Sequence, residues 1–457
     1  MAEQFATVNP YNLQTIQTYT YHTSSMVVEA VESSYRAFQR WSLLSVNERK
    51  DLLGRLKLEI AQRKNELALA MSREMGKPIL QAGTEIEKSM QLIEYCLLTA
   101  EDLFKEVRGK HHIQFKSPLG VVYGIMPWNF PVWQSLRFAI PALLAGNTIL
   151  LKPADNVAGT ATLLQEAFND AFNKVAELEH VFTTLFLKHT TSDELIANPL
   201  VRGVSFTGST RAGKEVAKVA GQSLKKCVFE LGGNDAYIVC EDADVALAAQ
   251  KVYQGRILNS GQSCISAKRI LLHRSIETEF LEKLIFYVKD IQFGDPQLPK
   301  NLIGPLARKD LVDQLHAQVQ KALAQGAHLL YQKEIPKELE GNNFFAPTIL
   351  TQVPQNGLPH FDEFFGPVFS ICSFETDDEA LKLANQSPFG LGGAVFTKNK
   401  ERAQKLAVGM ETGSVAINDY LKSAPERPFG GIKNSGYGCE LGEPGFFEFT
   451  HNKVIVF

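Results

Sequence analysis

From Gly120 onward the chain alternates short apolar runs with amphipathic ones, and this alternation restricts what it can fold into. A strand over 121–126 is followed by a helix through 136–144, a strand over 148–151, a helix over 158–172 and a strand ending at Phe206. A helix from about Ala212 and strands over 227–230 and 236–239 continue the series. The second half has the same texture: strand 269–273, helices 277–289 and 311–325, strand 369–374, helix 378–385. Strands separated by helices predict βαβ units, hence an α/β fold with a mostly parallel, doubly wound sheet covered by helices on both faces. A dinucleotide- or mononucleotide-binding fold leads.

Before Gly120, an irregular start gives way to helical periodicity over 26–41 and 45–75. The second stretch opens on a capping box, Ser45 with Glu48, and is stopped by Gly76-Lys77-Pro78. Two segments, 111–116 and 454–457, read as marginal strands able to pair with each other or with another subunit.

At 457 residues, the chain is long enough for about three ordinary domains or two large ones. Its 45% hydrophobic and 21% charged content is that of a globular protein, which excludes disorder and collagen-like structure. A net charge of −3 gives no reason to expect nucleic acid as a partner. The 6 cysteines form no CxxC pair, the N-terminus lacks a basic region followed by an apolar one, and no apolar run is long enough to span a membrane. These features predict free thiols, no membrane association and a cytoplasmic location.

Four motifs could carry chemistry. Gly208 to Lys214 matches the first seven positions of a phosphate-binding P-loop, but Glu215 stands where magnesium requires Ser or Thr. The surviving reading is a glycine-rich turn between strand and helix, whose N–H groups can receive a phosphate or pyrophosphate. In Asn259-Ser260-Gly261-Gln262-Ser263-Cys264, a thiol follows a polar turn, where it is either accessible and surrounded by backbone donors or simply a small core residue. Glu230 ends an apolar strand just before Gly232 and Gly233, where burial would be costly without a partner or a function. Asn129, within Pro127-Trp128-Asn129-Phe130-Pro131, could donate to an oxyanion or cap the helix that follows.

Taken in order, PWNFP at 127–131, FTGST at 206–210, ELGG at 230–233, GQSC at 261–264, EFFGPV at 363–368 and PFGG at 428–431 resemble the NAD(P)-dependent aldehyde dehydrogenase superfamily over nearly the whole chain. Within it, the chain is most like the shorter bacterial enzymes that oxidise succinate semialdehyde.

The resemblance implies a Rossmann-type cofactor domain (1–108 and 124–230), an α/β catalytic domain (231–437) and a small β oligomerisation element (109–123 and 438–457), assembled as a homodimer or homotetramer. It implies NAD or NADP as cofactor and no metal. Cys264 would be the nucleophile, its thiol pKa lowered by local N–H donors or the nicotinamide charge, with Asn129 donating to the oxyanion. Glu230 would be the general base that hydrolyses the thioester. Cofactor contacts would come from Trp128, Lys152, Asp155, Gly208, Ser209, Glu363 and Phe365. Asp155 occupies a position that is Glu in many NAD-preferring members, which leaves the choice between NAD and NADP open.

For the substrate, Arg137 aligns with an arginine that holds the distal carboxylate, a role that suits guanidinium, although a helix arginine can equally be paired elsewhere. A second family arginine is Leu258 here, and Ser423, Lys422 or Arg427 could contribute in its place. Ser266 stands where some relatives carry a second cysteine. Three other readings remain: a dehydrogenase for another small aliphatic or carboxylated aldehyde, a CoA-acylating dehydrogenase and a non-catalytic cofactor-binding protein.

Overall fold

The computed structural model describes residues 3–172 and 178–457. Two large sheets carry the fold. The first runs, strand beside strand, Gly436–Tyr437, Lys226–Glu230, Val201–Thr207, Val121–Met126, Thr148–Pro153, Phe182–Thr184. All its pairings are parallel except that of Gly436–Tyr437 with Lys226–Glu230. The earliest strand, Val121–Met126, lies in the middle, with its successor Thr148–Pro153 on one side and Val201–Thr207 on the other. Strand order therefore reverses between Val121–Met126 and Val201–Thr207. Helices leaving these two strands go to opposite faces, which opens a crevice at the strands' carboxyl ends.

The second sheet runs His328–Gln332, Thr348–Thr351, Val368–Phe374, Arg269–His273, Ala236–Val239, Gly392–Phe396, Ser414–Ile417. It is parallel except for its first pair. The chain leaves the first sheet at Glu230 and returns to it at Gly436, which is the register partner of Glu230. The Leu231 N–H donates to the Ser435 carbonyl at 2.9 Å, so the two crossings form a tied neck.

Several expectations meet the structure closely. Helices Ala158–Phe172 and Glu277–Lys289 and strands Ala236–Val239 and Arg269–His273 have the expected bounds. The capping box at Ser45 and Glu48 forms, and Gly76 ends its helix in the left-handed region at φ 76°. Others need correction. The run over 45–75 is two helices, Val46–Gln62 and Lys64–Met75, broken at Arg63. The irregular start contains a hairpin, Gln4–Val8 with Thr15–Thr20.

The marginal strands pair with each other, antiparallel, as Thr450–Val456 against His112–Pro118, with Val107–Arg108 on the far side. This small sheet ends at Pro118, and residues 121–123 belong to the first large sheet. No helix among the described residues is long and apolar enough to cross a membrane.

Candidate active site

Two cavities meet at one thiol. The first, about 600 Å³, fills the crevice at the strand-order reversal and is lined by Trp128, Asn129, Gly208, Ser209, Glu363 and Phe365, among others. The second, about 480 Å³, lies on the far side and is lined by Lys88, Trp133, Arg137, Leu258, Ser423 and Phe429, among others. Among the described residues, Gln134 and Cys264 alone line both.

The backbone at Cys264 is held in a costly shape. Asn259, Ser260 and Gly261 are all left-handed, at φ 53°, 56° and 78°. Two non-glycine residues in that region cost on the order of 1 kcal/mol each and persist only where their surroundings hold them. The surroundings do so. Asn259 donates from its N–H to Gln81 Oε1 at 2.7 Å and from Nδ2 to the Asn129 carbonyl at 2.8 Å. Ser260 donates to the Gly304 carbonyl at 3.1 Å, and Gln262 Oε1 accepts from the Ala307 N–H at 2.9 Å. Lys268 donates to the carbonyls of Ser263 at 2.8 Å and Cys264 at 2.6 Å. Gly233 admits this close approach, since a Cβ there would run into the Cys264 carbonyl oxygen.

Cys264 is half-buried, and desolvation pushes its thiol up to about 12 despite the opposing charges of Lys268 and Arg137. Among the protein's own groups, burial outweighs the nearby positive side chains, so the lowering expected for this thiol would have to come from the nicotinamide charge.

Asn129 is not the cap of the following helix. Phe130 stands at that position with no side-chain cap, and the first turn of Pro131–Leu144 is capped from outside, by Glu85 Oε1 accepting the N–H groups of Val132 and Trp133 at 3.0 Å each. Glu85 also pairs with the fully buried Lys77, whose ammonium donates to the Asn129 carbonyl at 2.7 Å. The Asn129 side chain donates to the Gln262 carbonyl at 3.1 Å and sits in the wall of the first cavity.

Glu230 is buried, and neither carboxylate oxygen has a hydrogen-bond partner among the described residues. Burial holds its carboxyl well above the usual range, with Arg137 opposing and Glu440 adding to the rise. It lines neither cavity, and a Cβ on Gly430 would lie 3.4 Å from its Oε1.

Around the first cavity, Trp128 and Phe365 meet edge to face with ring centres 5.8 Å apart. Ser209 caps the helix Thr210–Gln222, accepting from the Ala212 N–H at 3.3 Å. That helix start and the reversal crevice suit the pyrophosphate of a dinucleotide. Thr207 Oγ1, buried on the same wall without a partner among the described residues, is a polar atom left for such a ligand. Glu363 receives the Gly233 N–H at 3.2 Å and pairs with Lys268 at 3.1 Å.

Lys152 and Asp155 are not among the residues lining the cavity. Lys152 is buried, its ammonium 3.4 Å from the Pro153 carbonyl and held below the usual lysine range by desolvation. Asp155 accepts from the Tyr21 hydroxyl at 2.6 Å, an attachment made by residues that follow the N-terminal hairpin.

In the second cavity, Arg137 is buried, ion-paired with Glu440 and stacked over Phe429 at 4.6 Å. The paired-elsewhere reading therefore describes its charge, although it still lines the cavity. Ser423 accepts from Lys88 at 2.7 Å.

The family model for the aldehyde dehydrogenase family matches residues 1–455. The chain belongs to the aldehyde dehydrogenase family. Similar relatives include a succinate-semialdehyde dehydrogenase [NADP(+)] of Deinococcus radiodurans, 37% identical over 99% of this chain and 94% of that one. A probable succinate-semialdehyde dehydrogenase [NADP(+)] of Synechocystis sp. is 40% identical over 98% and 99%. A solved structure, a succinic semialdehyde dehydrogenase from Streptococcus pyogenes in complex with NADP+, superposes with a TM-score of 0.95 at 31% identity, covering 99% of both chains.

Membership makes this aldehyde dehydrogenase an NAD(P)-dependent oxidoreductase. The contacts around the site also bring in residues that no motif marks: Lys268, Glu85, Lys77, Glu440 and Lys88. Lys268 left one signal, a lysine four positions after the thiol and directly before the apolar strand Arg269–His273.

Proposed function

We propose that this aldehyde dehydrogenase oxidises succinate semialdehyde to succinate with NAD or NADP, through a thiohemiacetal and a thioester on Cys264. The observation that carries the reading is that Cys264 lines both cavities, so a cofactor in one and an aldehyde in the other would meet at its sulfur. The relatives' names support the substrate, and the NADP+ of the Streptococcus pyogenes structure supports the cofactor.

When bound, the cofactor accepts a hydride from the substrate carbon. Trp128, Gly208, Ser209, Glu363 and Phe365 would hold it from the cavity wall, and Lys152 and Asp155, which do not line the cavity, are proposed as further contacts. Each other step falls to a side chain of this protein. Cys264, as thiolate, adds to the aldehyde carbon, and Asn129 Nδ2 with the Cys264 N–H donates to the resulting oxyanion. Glu230 takes a proton from water as that water attacks the thioester, and succinate leaves as the thiolate returns. Burial raises the Glu230 carboxyl above its ordinary range, the direction that makes a carboxylate a stronger base.

Arg137 and Ser423 are proposed substrate contacts through their places in the second cavity, Arg137 with its charge already matched by Glu440. We further propose a cofactor domain on the first sheet, a catalytic domain on the second, and a homodimer or homotetramer built through the three-stranded sheet. The 6 free cysteines support a cytoplasmic location.

Initial rates of reduced-cofactor formation across a panel of aldehydes, with NAD and NADP in parallel, test the reading. Succinate semialdehyde should give the highest kcat/KM, and no turnover of any aldehyde would overturn it.

A further inference from the structure

The second cavity contains four cations, and three already have company. Arg137 pairs with Glu440, Lys422 lies 3.2 Å from Asp419, and Arg427 lies 3.7 Å from Glu426. Lys88 differs. It projects from the helix Ile79–Leu103, its ammonium sits 4.1 Å above the Trp133 ring, and its hydrogen bond goes to the neutral Ser423 hydroxyl at 2.7 Å. No carboxylate lies within ion-pair distance of it among the described residues. The acid one turn earlier on its own helix, Glu85, is committed to Lys77 and to two backbone N–H groups. Phe130, Trp133, Leu258, Ile265 and Phe429 line the rest of the cavity with apolar surface. A cation so placed, desolvated and without a counter-charge, is stabilised by an anion entering the cavity.

We infer that Lys88 is the residue that selects an aldehyde carrying a distal carboxylate, by receiving that carboxylate while the carbonyl carbon reaches Cys264. The inference rests on the aldehyde-oxidising reading above and assigns the discriminating charge within it.

A pH signature follows. In the ligand-free protein Lys88 is pulled down to about 7, by burial first, then by Arg137 and Arg427, with Glu85 and Cys264 opposing. A bound carboxylate favours the ammonium and raises that value. Binding is therefore strongest when Lys88 is already charged, below pH about 7, and weakens as pH rises above it, by up to tenfold per unit.

The test compares kcat/KM for succinate semialdehyde with that for butanal, a neutral aldehyde of equal length, from pH 6 to 9. Taking the ratio cancels pH effects on Cys264 and Glu230. In the native enzyme the ratio should fall as pH rises above 7. Lys88→Met should lower the ratio at pH 6.5 by roughly tenfold or more, the size of one charge-assisted hydrogen bond, and flatten its pH dependence. Lys88→Arg, which keeps the charge but does not titrate, should preserve discrimination with a flat profile, and it serves if the Met variant does not fold. A ratio independent of pH in the native enzyme, or one unchanged within twofold by Lys88→Met, overturns the inference. No turnover of either aldehyde would instead overturn the aldehyde-oxidising reading itself.

Discussion

At the scale of single residues, burial raises the pKa of both the Cys264 thiol and the Glu230 carboxyl. Because burial pushes the Cys264 thiol up to about 12, its thiolate fraction without cofactor should rise tenfold per pH unit across the neutral and mildly alkaline range. Iodoacetamide modification of the Cys264 peptide, followed by mass spectrometry, should accordingly increase about tenfold per unit from pH 7 to 9 without a plateau. A plateau near pH 8 would contradict the raised value. Glu230 is proposed to act after hydride transfer, so Glu230→Gln should give a burst of reduced cofactor and an acyl-enzyme visible by intact mass. Normal steady-state turnover of that variant would remove Glu230 from the role. The thiol, the amide and the acid were legible in sequence because each stands in a short glycine- or proline-marked motif. Glu440 and Lys88 were not, since the significance of Glu440 lies in a partner far along the chain and that of Lys88 in the lack of an acidic one, while Lys268 left only its position four residues after the thiol.

At the scale of elements, the helix Pro131–Leu144 shows how a distant acid positions the site. Its own sequence supplies no side-chain cap, and Glu85 provides one from another helix while also holding Lys77 against the Asn129 carbonyl. Removing one partner of a buried ion pair leaves the other uncompensated, at a cost of about 3–5 kcal/mol. Glu85→Ala should lower stability by that amount in urea unfolding, whereas exchange of the exposed neighbour Glu87, which pairs with Lys64 at the surface, should cost less than about 1 kcal/mol. Equal effects would show that the cap contributes nothing.

The βαβ strands were legible because both faces are covered and their apolar runs are continuous. Helix Ile79–Leu103 was not, because small or polar residues, Ala82, Ser89 and Ala100, occupy much of its buried stripe. Apolar periodicity is faint where close packing, not bulk, fills the interface. The N-terminal hairpin escaped for the opposite reason, since most of its strand residues face solvent and carry no apolar alternation.

At the scale of the whole molecule, the three-stranded sheet ends in an exposed apolar margin. Val454, Ile455, Val456 and Phe457 are all exposed, as is Val107. A strand with an unpaired edge and apolar side chains is suited to pairing with a second copy. Ile455→Lys combined with Val456→Lys should therefore shift the protein towards monomer in light scattering. An unchanged mass would place the subunit contact elsewhere.

The tied neck at Glu230 and Gly436 has a consequence for how this chain could have been assembled. Residues 231–435 begin and end at adjacent, hydrogen-bonded points, so the second sheet is topologically an insertion into the first. Such a segment can be gained, lost or exchanged as a cassette without rethreading its host. The proposed base stands on the splice point itself, where guest and host must fit for either to work.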